Sequence, residues 1–197
     1  MSDTSIPIIK TNKTGVSFGG ISVLRDVDTQ VYRGEIIGLV GENGAGKSTL
    51  GKVLGGYYAA STGTLEINGT QVNHWDAHLA LRQGIAMMHQ ELQLVPNLTV
   101  AENVFLGIES NRLGILLDNE AARLEELMQS SGFSLDPNAV TSSLPIADQQ
   151  KIEILRALAR DAQVIIMDEP SSSLSKDEII NLHKTMRPAD FSARMVL

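Results

Sequence analysis

Residues 41–49 read GENGAGKST and directly follow the apolar run IIGLV at residues 36–40. Its fixed residues have the G-x-x-x-x-G-K-[ST] spacing of a loop that binds nucleotide phosphates, and it stands between a predicted strand and the predicted helix KSTLGKVLGGYY. The glycines allow the backbone to turn and to bring N–H groups close to an anion. The helix that opens near Lys47 adds further N–H donors and a partial positive charge. The alternative is a Gly-rich strand-to-helix turn with a surface lysine.

Two side chains of this loop have predicted roles. We expect Lys47 to reach the β- and γ-phosphates of the nucleotide and Ser48 to ligate Mg²⁺. The other loop residues are predicted to surround the same phosphates: Gly41, Glu42, Asn43, Gly44, Ala45, Gly46 and Thr49.

Composition limits the classes of protein that fit. A chain of 197 residues is expected to form one domain with room for a small subdomain. The net charge of −7 disfavours sequence-independent binding to nucleic acid. The absence of cysteine excludes disulfides and Cys-ligated metals. No apolar stretch approaches the roughly 20 residues that span a bilayer, and the N-terminus does not resemble a secretory signal. We therefore expect any role at a membrane to depend on a partner, on the cytoplasmic side.

The first 90 residues are predicted to form a β-rich lobe together with the phosphate-loop core. Short strands are expected at residues 16–18 and 21–24, on either side of two glycines. Residues 64–72 contain Asn68-Gly69 between two β-type runs, which predicts a hairpin. Residues 84–89 predict a buried strand.

Residues 91–143 change character and predict an inserted helical subdomain. Thr99 and Glu102 have the spacing of a capping box, and residues 118–131 predict a second helix that stops at Gly132. The core is then expected to resume from residue 144. There Asp148 is predicted to cap a helix over residues 149–160, residues 164–167 predict a strand buried on both faces, and a last helix is expected from Ser175.

Two carboxylates follow the predicted strand at residues 164–167. Ligands bind at the carboxyl ends of the strands of open α/β sheets, and unpaired acids there are costly. We expect Asp168 to hold Mg²⁺ through a water and Glu169 to polarise the water that attacks the γ-phosphate. The alternative is a pair of solvated acids before the turn at Pro170.

Taken together, these motifs resemble those of the ATP-binding subunits of ABC transporters, and within that family the monosaccharide-import branch (ribose, galactose and methyl galactoside). GENGAGKST resembles the Walker A motif, and VIIMDEP at residues 164–170 resembles Walker B. MMHQELQLVPNLTVAENVFLG resembles the Q-loop region, which makes Gln90 the residue that senses Mg²⁺ and the permease. SLPIADQQKIEILRALAR and SSSLS occupy the places of the signature motif and the D-loop. Phe18, in VSFGG, matches the aromatic residue that stacks on adenine, although a core aromatic is the competing interpretation.

The resemblance implies an α/β fold, with a P-loop NTPase core of ABC type, an N-terminal antiparallel β lobe and an inserted helical subdomain. It implies ATP and Mg²⁺ as cofactors and a Mg-ATP sandwich with a second ATPase domain. The implied partners are membrane permease subunits, docked through residues 90–143, and a periplasmic sugar-binding protein, with no nucleic acid. The implied location is peripheral, on the cytoplasmic face of the inner membrane. The implied activity is ATP hydrolysis that drives monosaccharide import.

The chain departs from the family pattern in two regions. Pro145, Ala147 and Asp148 stand where the signature usually has Ser, Gly and Gln. The family's switch histidine has no counterpart, because His183 is the last histidine and the tail RPADFSARMVL shows no clear strand. We therefore expect residues 1–197 to be a single ABC ATPase domain that is incomplete at the C-terminus. Two alternatives stay open: a remnant that binds nucleotide without hydrolysing it, and a soluble ATPase acting on DNA or ribosomes, which the acidic composition disfavours.

Overall fold

The computed structural model describes residues 6–42, 44–89, 91–108, 111–112, 115–116, 120–168 and 193–196. The described strands are β1 (Ile9–Phe18), β2 (Ile21–Val31), β3 (Glu35–Gly38), β4 (Thr62–Ile67), β5 (Thr70–Val72), β6 (Ile85–Met88), β7 (Asn111–Arg112), β8 (Ile115–Leu116), β9 (Val164–Met167) and β10 (Ala193–Val196). The described helices are α1 (Lys47–Leu54), α2 (Ala77–Arg82), α3 (Val100–Phe105), α4 (Glu120–Ser131) and α5 (Ile146–Ala159), with a short 3₁₀ turn at Thr141–Ser143.

These elements divide into two compact units. The phosphate-loop unit comprises the described residues of 6–87, 163–168 and 193–196, and the helical unit comprises those of 88–162. Helix α5 belongs to the helical unit together with α3 and α4. The predicted subdomain bounds at residues 91 and 143 stay a prediction.

The predicted β lobe is confirmed as an antiparallel sheet with strand order β2-β1-β4-β5. The strands predicted at residues 16–18 and 21–24 are the ends of longer strands that pair from Ile9↔Val31 to Phe18↔Ile21. The β4–β5 hairpin turns at Asn68 and Gly69, both with positive φ, as the sequence predicted.

A second sheet has the strand order β3-β10-β9-β6. The prediction that the tail contains no strand is wrong, because β10 lies between β3 and β9 and pairs in parallel with both. Its register joins Ala193 to Glu35 on one side and to Val164 on the other. A strand of four residues interrupted by an arginine has too short a pattern to be recognised alone, and two flanking strands define it instead.

The core of the phosphate-loop unit lies where the two sheets and α1 meet. Residues from β1, β2, α1, β4 and β9 share one buried cluster, which includes Ile9, Val31, Leu54, Ile67 and Ile166. All four residues of β9 are buried, as expected for a strand covered on both faces.

The helical unit is built from α3, α4 and α5, which pack against one another. The capping box at the start of α3 is confirmed, because Thr99 and Glu102 make both reciprocal hydrogen bonds. Helix α4 begins at Glu120 and ends before Gly132, close to the predicted bounds.

The predicted N-cap of α5 is wrong. The helix begins at Ile146 with Pro145 at the N-cap, so Asp148 lies in the first turn, where its Oδ1 accepts a 2.7 Å hydrogen bond from Lys151 Nζ. Proline lacks an N–H and has a restricted φ, which suits it to a helix start. The helix therefore starts three residues earlier than the acidic residue suggested.

Candidate phosphate-binding site

The loop after β3 has the backbone geometry of an anion site. Gly46, at the N-cap of α1, has φ 87°, and a Cβ there would lie 2.5 Å from Leu24 Cδ2 and 3.2 Å from the Val23 carbonyl oxygen. Only glycine fits this conformation and this close approach to β2 without strain. The first turn of α1 contains no acidic residue. Its positive end is therefore available to an anion.

Lys47 folds back across its own loop. Its Nζ donates hydrogen bonds to the carbonyl oxygens of Gly41, at 2.9 Å, and Glu42, at 3.1 Å. The ammonium group is thereby held at the loop by two neutral acceptors. A phosphate oxygen would be a stronger acceptor because its bond to the ammonium would be charge-assisted.

The structure brings Ser48 and Asp168 together from opposite ends of the chain. Ser48 Oγ donates to Asp168 Oδ1 at 2.9 Å, across 120 residues of sequence. Asp168 follows the last residue of β9, and Ser48 lies in the first turn of α1. A hydroxyl and a carboxylate this close are the hard oxygen ligands that Mg²⁺ prefers, so these residues fit the predicted cation.

Phe18 is not a core aromatic, because 45% of its surface is exposed. Its ring meets Tyr58 edge to face, with centroids 5.1 Å apart, and Lys52 Nζ lies 5.4 Å from the Tyr58 centroid. This arrangement is compatible with the predicted stacking role. Sequence analysis did not single out Tyr58, which follows α1 in the run GGYY.

Three predicted site residues, Asn43, Gln90 and Glu169, lie outside the described residues, as do the D-loop segment, the helix from Ser175 and His183. Their roles stay predictions.

The divergent signature positions lie at the start of α5. Asp148 is 29% exposed and paired with Lys151, which is 14% exposed. The negative charge that the sequence places here is thus compensated within the same helix.

Within the described ranges, no helix is long and apolar enough to cross a membrane. The same residues contain no cluster of three His, Asp or Glu side chains that would hold a metal alone. A cation held by Ser48 and Asp168 would therefore need further ligands, such as nucleotide oxygens and water, to complete its coordination.

The fold and the phosphate loop define an ATP-binding cassette, and the comparisons with known proteins agree. The family model for ABC transporters matches residues 24–172, so the chain belongs to the ABC transporter family.

The predicted α/β fold with an antiparallel β lobe and a helical subdomain is confirmed by solved structures that share it. A nucleotide-free ATP-binding cassette from an ABC transporter matches with a TM-score of 0.79 at 21% identity, covering 96% of this chain and 80% of that one. An ATP-binding cassette in its ADP conformation has the same TM-score and coverage at 22% identity. The protein cbiO1 from Clostridium perfringens, part of the ABC transporter complex cbiONQ, also matches with a TM-score of 0.79, at 20% identity over 96% of this chain and 77% of that one.

Relatives with higher identity have a named transport role. The arabinose import ATP-binding protein AraG of Escherichia coli O157:H7 is 42% identical over 196 residues. The protein of the same name from Shigella flexneri has the same identity over the same length. Both alignments cover 98% of this chain but only 38% of the relative, so the chain spans well under half the length of these proteins.

Proposed function

We propose that this chain binds Mg-ATP at residues 41–49 and hydrolyses it to drive monosaccharide import through a membrane permease. The observation that carries the proposal is the hydrogen bond between Ser48 and Asp168, at 2.9 Å. It joins the phosphate loop to the end of β9, where the sequence predicts the acids that hold Mg²⁺ and polarise the attacking water. The alternative was that Asp168 is merely a solvated acid at the end of a strand. Its hydrogen bond to a residue of the phosphate loop, 120 residues away, argues against that alternative.

The described residues account for binding of the nucleotide. The backbone around Gly46 and the N-terminus of α1 would bind the phosphates, and Lys47, now bonded to two loop carbonyls, would donate to phosphate oxygens instead. Ser48 and Asp168 would hold Mg²⁺, which would offset the charge of the phosphates. Glu169 orients the attacking water, as its place after β9 predicts, and Gln90 couples the site to the permease, as the family resemblance implies.

The transport role is supported by the relatives, which are named for arabinose import. We propose a monosaccharide of the ribose, galactose or arabinose class as the cargo. The proposed partners are permease subunits, a periplasmic sugar-binding protein and a second ATPase domain. The proposed location is the cytoplasmic face of the inner membrane.

Nucleotide titration of the purified chain tests the binding step. We expect saturable ATP binding that is tighter with Mg²⁺ than with excess chelator. Asp168→Asn keeps the shape of the side chain and loses its charge, so it should abolish most of the Mg²⁺ effect while sparing metal-free ATP binding. Absence of ATP binding by the folded wild-type chain would contradict the proposal.

Phosphate release tests the hydrolysis step. Glu169→Gln should bind ATP like the wild type and release no phosphate, because it keeps the shape of the side chain but loses the charge that polarises water. If the wild type also binds ATP without releasing phosphate, alone and with permease subunits, the second candidate is favoured: a chain that only binds nucleotide.

Cross-linking to a co-expressed permease tests the partner. Positions 91–108 in the helical unit should cross-link, and equivalent positions in β1 and β2 should not. Cross-links confined to the β lobe would contradict the predicted docking through residues 90–143. Retention on DNA or on ribosomes without permease binding would favour the third interpretation.

A further inference from the structure

Phe18 lies at an open end of the antiparallel sheet. It is the last residue of β1 and pairs with Ile21 of β2, and the turn between these strands consists of Gly19 and Gly20. Among the described residues, nothing beyond the chain neighbours lies within 4 Å of the position that a Cβ on either glycine would take. The turn therefore gives the Phe18 ring no support, and a support has to come from another part of the chain.

Tyr58 supplies that support. Its ring meets the Phe18 ring nearly at a right angle, with 5.1 Å between the centroids and 73° between the planes. Edge-to-face pairs at such a separation are favourable beyond the area that they bury. On the Tyr58 ring itself, Lys52 Nζ lies 5.4 Å from the centroid, a distance at which a cation attracts an aromatic face. Phe18 thus contacts Tyr58, which in turn contacts Lys52 of α1.

The backbone of Tyr58 is bonded to the helix that starts at the phosphate loop. The N–H groups of Tyr57 and Tyr58 both donate to the Lys52 carbonyl oxygen, at 2.7 and 3.1 Å. Lys52 lies in the last turn of α1, about 7.5 Å along the helix axis from Lys47. The residue that supports Phe18 is therefore held by the helix whose N-terminus is predicted to bind the phosphates.

The segment after Tyr58 is bonded to β1. The Ser61 N–H donates to the Gly15 carbonyl oxygen at 2.8 Å, and Ser61 Oγ accepts a 3.0 Å hydrogen bond from the Ser17 N–H. The connection of residues 57–61 is thus held by α1 at one end and by β1 at the other. Because this connection has no helix or strand of its own, these hydrogen bonds fix its position.

The contact with Tyr58 leaves one face of Phe18 open to a planar ligand. Because the two ring planes are inclined at 73°, Tyr58 lies against at most one face of Phe18, which is 45% exposed. A nucleotide base can stack on an exposed aromatic face. A ring whose rotamer is already fixed by a neighbour loses less conformational entropy when the base binds.

We propose that Tyr58 is a positioning residue that holds the Phe18 ring in the orientation on which the adenine ring stacks. The proposal rests on the proposed function, because it adds a residue to the same ATP site. Tyr58 itself does not touch the base: it acts through Phe18 and links that ring to α1. The connection of residues 57–61 consequently sets the separation between the stacking ring and the phosphate loop.

Titrations with Mg-ATP and with inorganic magnesium triphosphate separate the base from the phosphates. The wild type should bind ATP at least about fivefold more tightly than triphosphate, the lower end of the range for one stacked base. Tyr58→Leu should weaken ATP binding by about three- to tenfold, the range for an edge-to-face pair, and leave triphosphate binding unchanged. Phe18→Leu should remove most of the preference for ATP.

A double-mutant cycle tests whether Tyr58 acts through Phe18. In a Phe18→Leu background, Tyr58→Leu should weaken ATP binding by less than about twofold, because the ring that it positions is gone. Tyr58→Phe keeps the aromatic ring and should restore ATP affinity to within about twofold of the wild type. If Tyr58→Leu does not fold, Tyr58→Met takes its place, since methionine fills irregular space without a ring.

Two controls isolate the aromatic contact. Tyr57→Leu removes a tyrosine ring from the adjacent residue, which is 47% exposed, and should leave both affinities unchanged. Lys10→Ala controls for a general loss of stability, because it breaks a partly buried ion pair with Glu66 in the same unit, with a 3.3 Å separation. It should also leave both affinities unchanged.

The outcomes separate the positioning role from the proposed function. Unchanged ATP affinity in a folded Tyr58→Leu chain overturns the positioning role and leaves the proposed function standing. The same holds if the loss persists in full in the Phe18→Leu background, or if ATP and triphosphate lose affinity equally, because Tyr58 would then act without Phe18 or be merely structural. A wild type that binds ATP no more tightly than triphosphate overturns the stacking and the positioning role, but not the phosphate site. A wild type that binds neither ligand overturns the proposed function and the inference with it.

Discussion

The phosphate-loop unit and the helical unit hold their irregular segments in place by different means. In the first, the backbone itself does so: Gly46 has a positive φ and lies against β2, and the loop runs directly into α1. In the helical unit, buried polar side chains hold the main chain in place. Glu153 accepts a hydrogen bond from the Gln93 N–H, and Asn103 accepts one from the Val95 N–H. A site made of N–H groups and a helix end needs close backbone packing, whereas an irregular segment between helices needs side chains that satisfy its backbone polar groups. The two units should therefore respond differently to the same kind of substitution.

The largest expected effect is on the backbone contacts of the phosphate-loop unit. Gly63 in β4 has φ 78°, and a Cβ there would lie 2.3 Å from the Lys13 carbonyl oxygen. Since this neighbour is backbone and the conformation is left-handed, Gly63→Ala should lower the free energy of unfolding by about 3 kcal/mol. Urea denaturation measures this change.

Gly132→Ala in the helical unit is the matched control. It has φ 68° with nothing within 4 Å of the added Cβ, so only the left-handed conformation opposes it, at about 1 kcal/mol. Equal losses at the two glycines would break the comparison between the units.

The next effect is on the polar network of the helical unit. Asn103 is fully buried, and besides Val95 its amide nitrogen donates to Thr141 Oγ1 at 2.8 Å. Asn103→Ala leaves buried partners unsatisfied and should lower the free energy of unfolding by roughly 2–3 kcal/mol. The exposed Asn138 is the control, and Asn138→Ala should change stability by less than about 0.5 kcal/mol. A similar result for both variants would show that the network contributes little.

The third effect is on binding rather than on stability. Lys47 makes only two hydrogen bonds to carbonyls of its own loop, so Lys47→Ala should leave the unfolding free energy nearly unchanged. It should weaken ATP binding by roughly 10- to 150-fold, from the loss of a charge-assisted contact of about 1.5–3 kcal/mol. Calorimetric titration gives the affinity, with Lys10→Ala as the control. Unchanged affinity in a folded Lys47→Ala sample would contradict the assignment of the loop.

The smallest effect is at the capping box of α3. Thr99→Ala should lower the free energy of unfolding by about 1 kcal/mol at neutral pH. The hydrogen bonds from the Thr99 N–H and then from its hydroxyl hold the pKa of Glu102 below its ordinary value of 4.5, because they favour the carboxylate. The stabilisation that these bonds give is fully present at a pH above the ordinary pKa of Glu102, and it is lost as the pH falls through the lowered pKa of the folded state. Thr99→Ala removes the hydroxyl's bond to Glu102 and keeps the backbone bond. The difference in unfolding free energy between wild type and Thr99→Ala should therefore shrink by the hydroxyl's share on acidification from about pH 7 to about pH 3, and a constant difference would show that the hydroxyl does not stabilise the Glu102 carboxylate.

Local signals were predicted well. The hairpin at Asn68-Gly69, the capping box at Thr99 and the buried strand β9 each depend on a few adjacent residues, and the structure confirms all three. Predictions were wrong where the bounds or the type of an element depend on residues outside the short pattern that was used. Asp148 was predicted as a cap, but Pro145 starts α5 earlier, and β10 is a strand because two others flank it.

The class of protein can be predicted from the sequence alone, because the spacing of GENGAGKST and the acids after β9 encode phosphate and cation chemistry in short stretches of chain. The contacts between groups far apart in the sequence are known only from the folded structure. Ser48 bonds Asp168 over 120 residues, and Glu153 bonds the Gln93 amide over 60. No local pattern specifies the partner of a buried carboxylate. The partner is a backbone group that has no hydrogen bond within a helix or strand. Which group that is depends on how the helices pack.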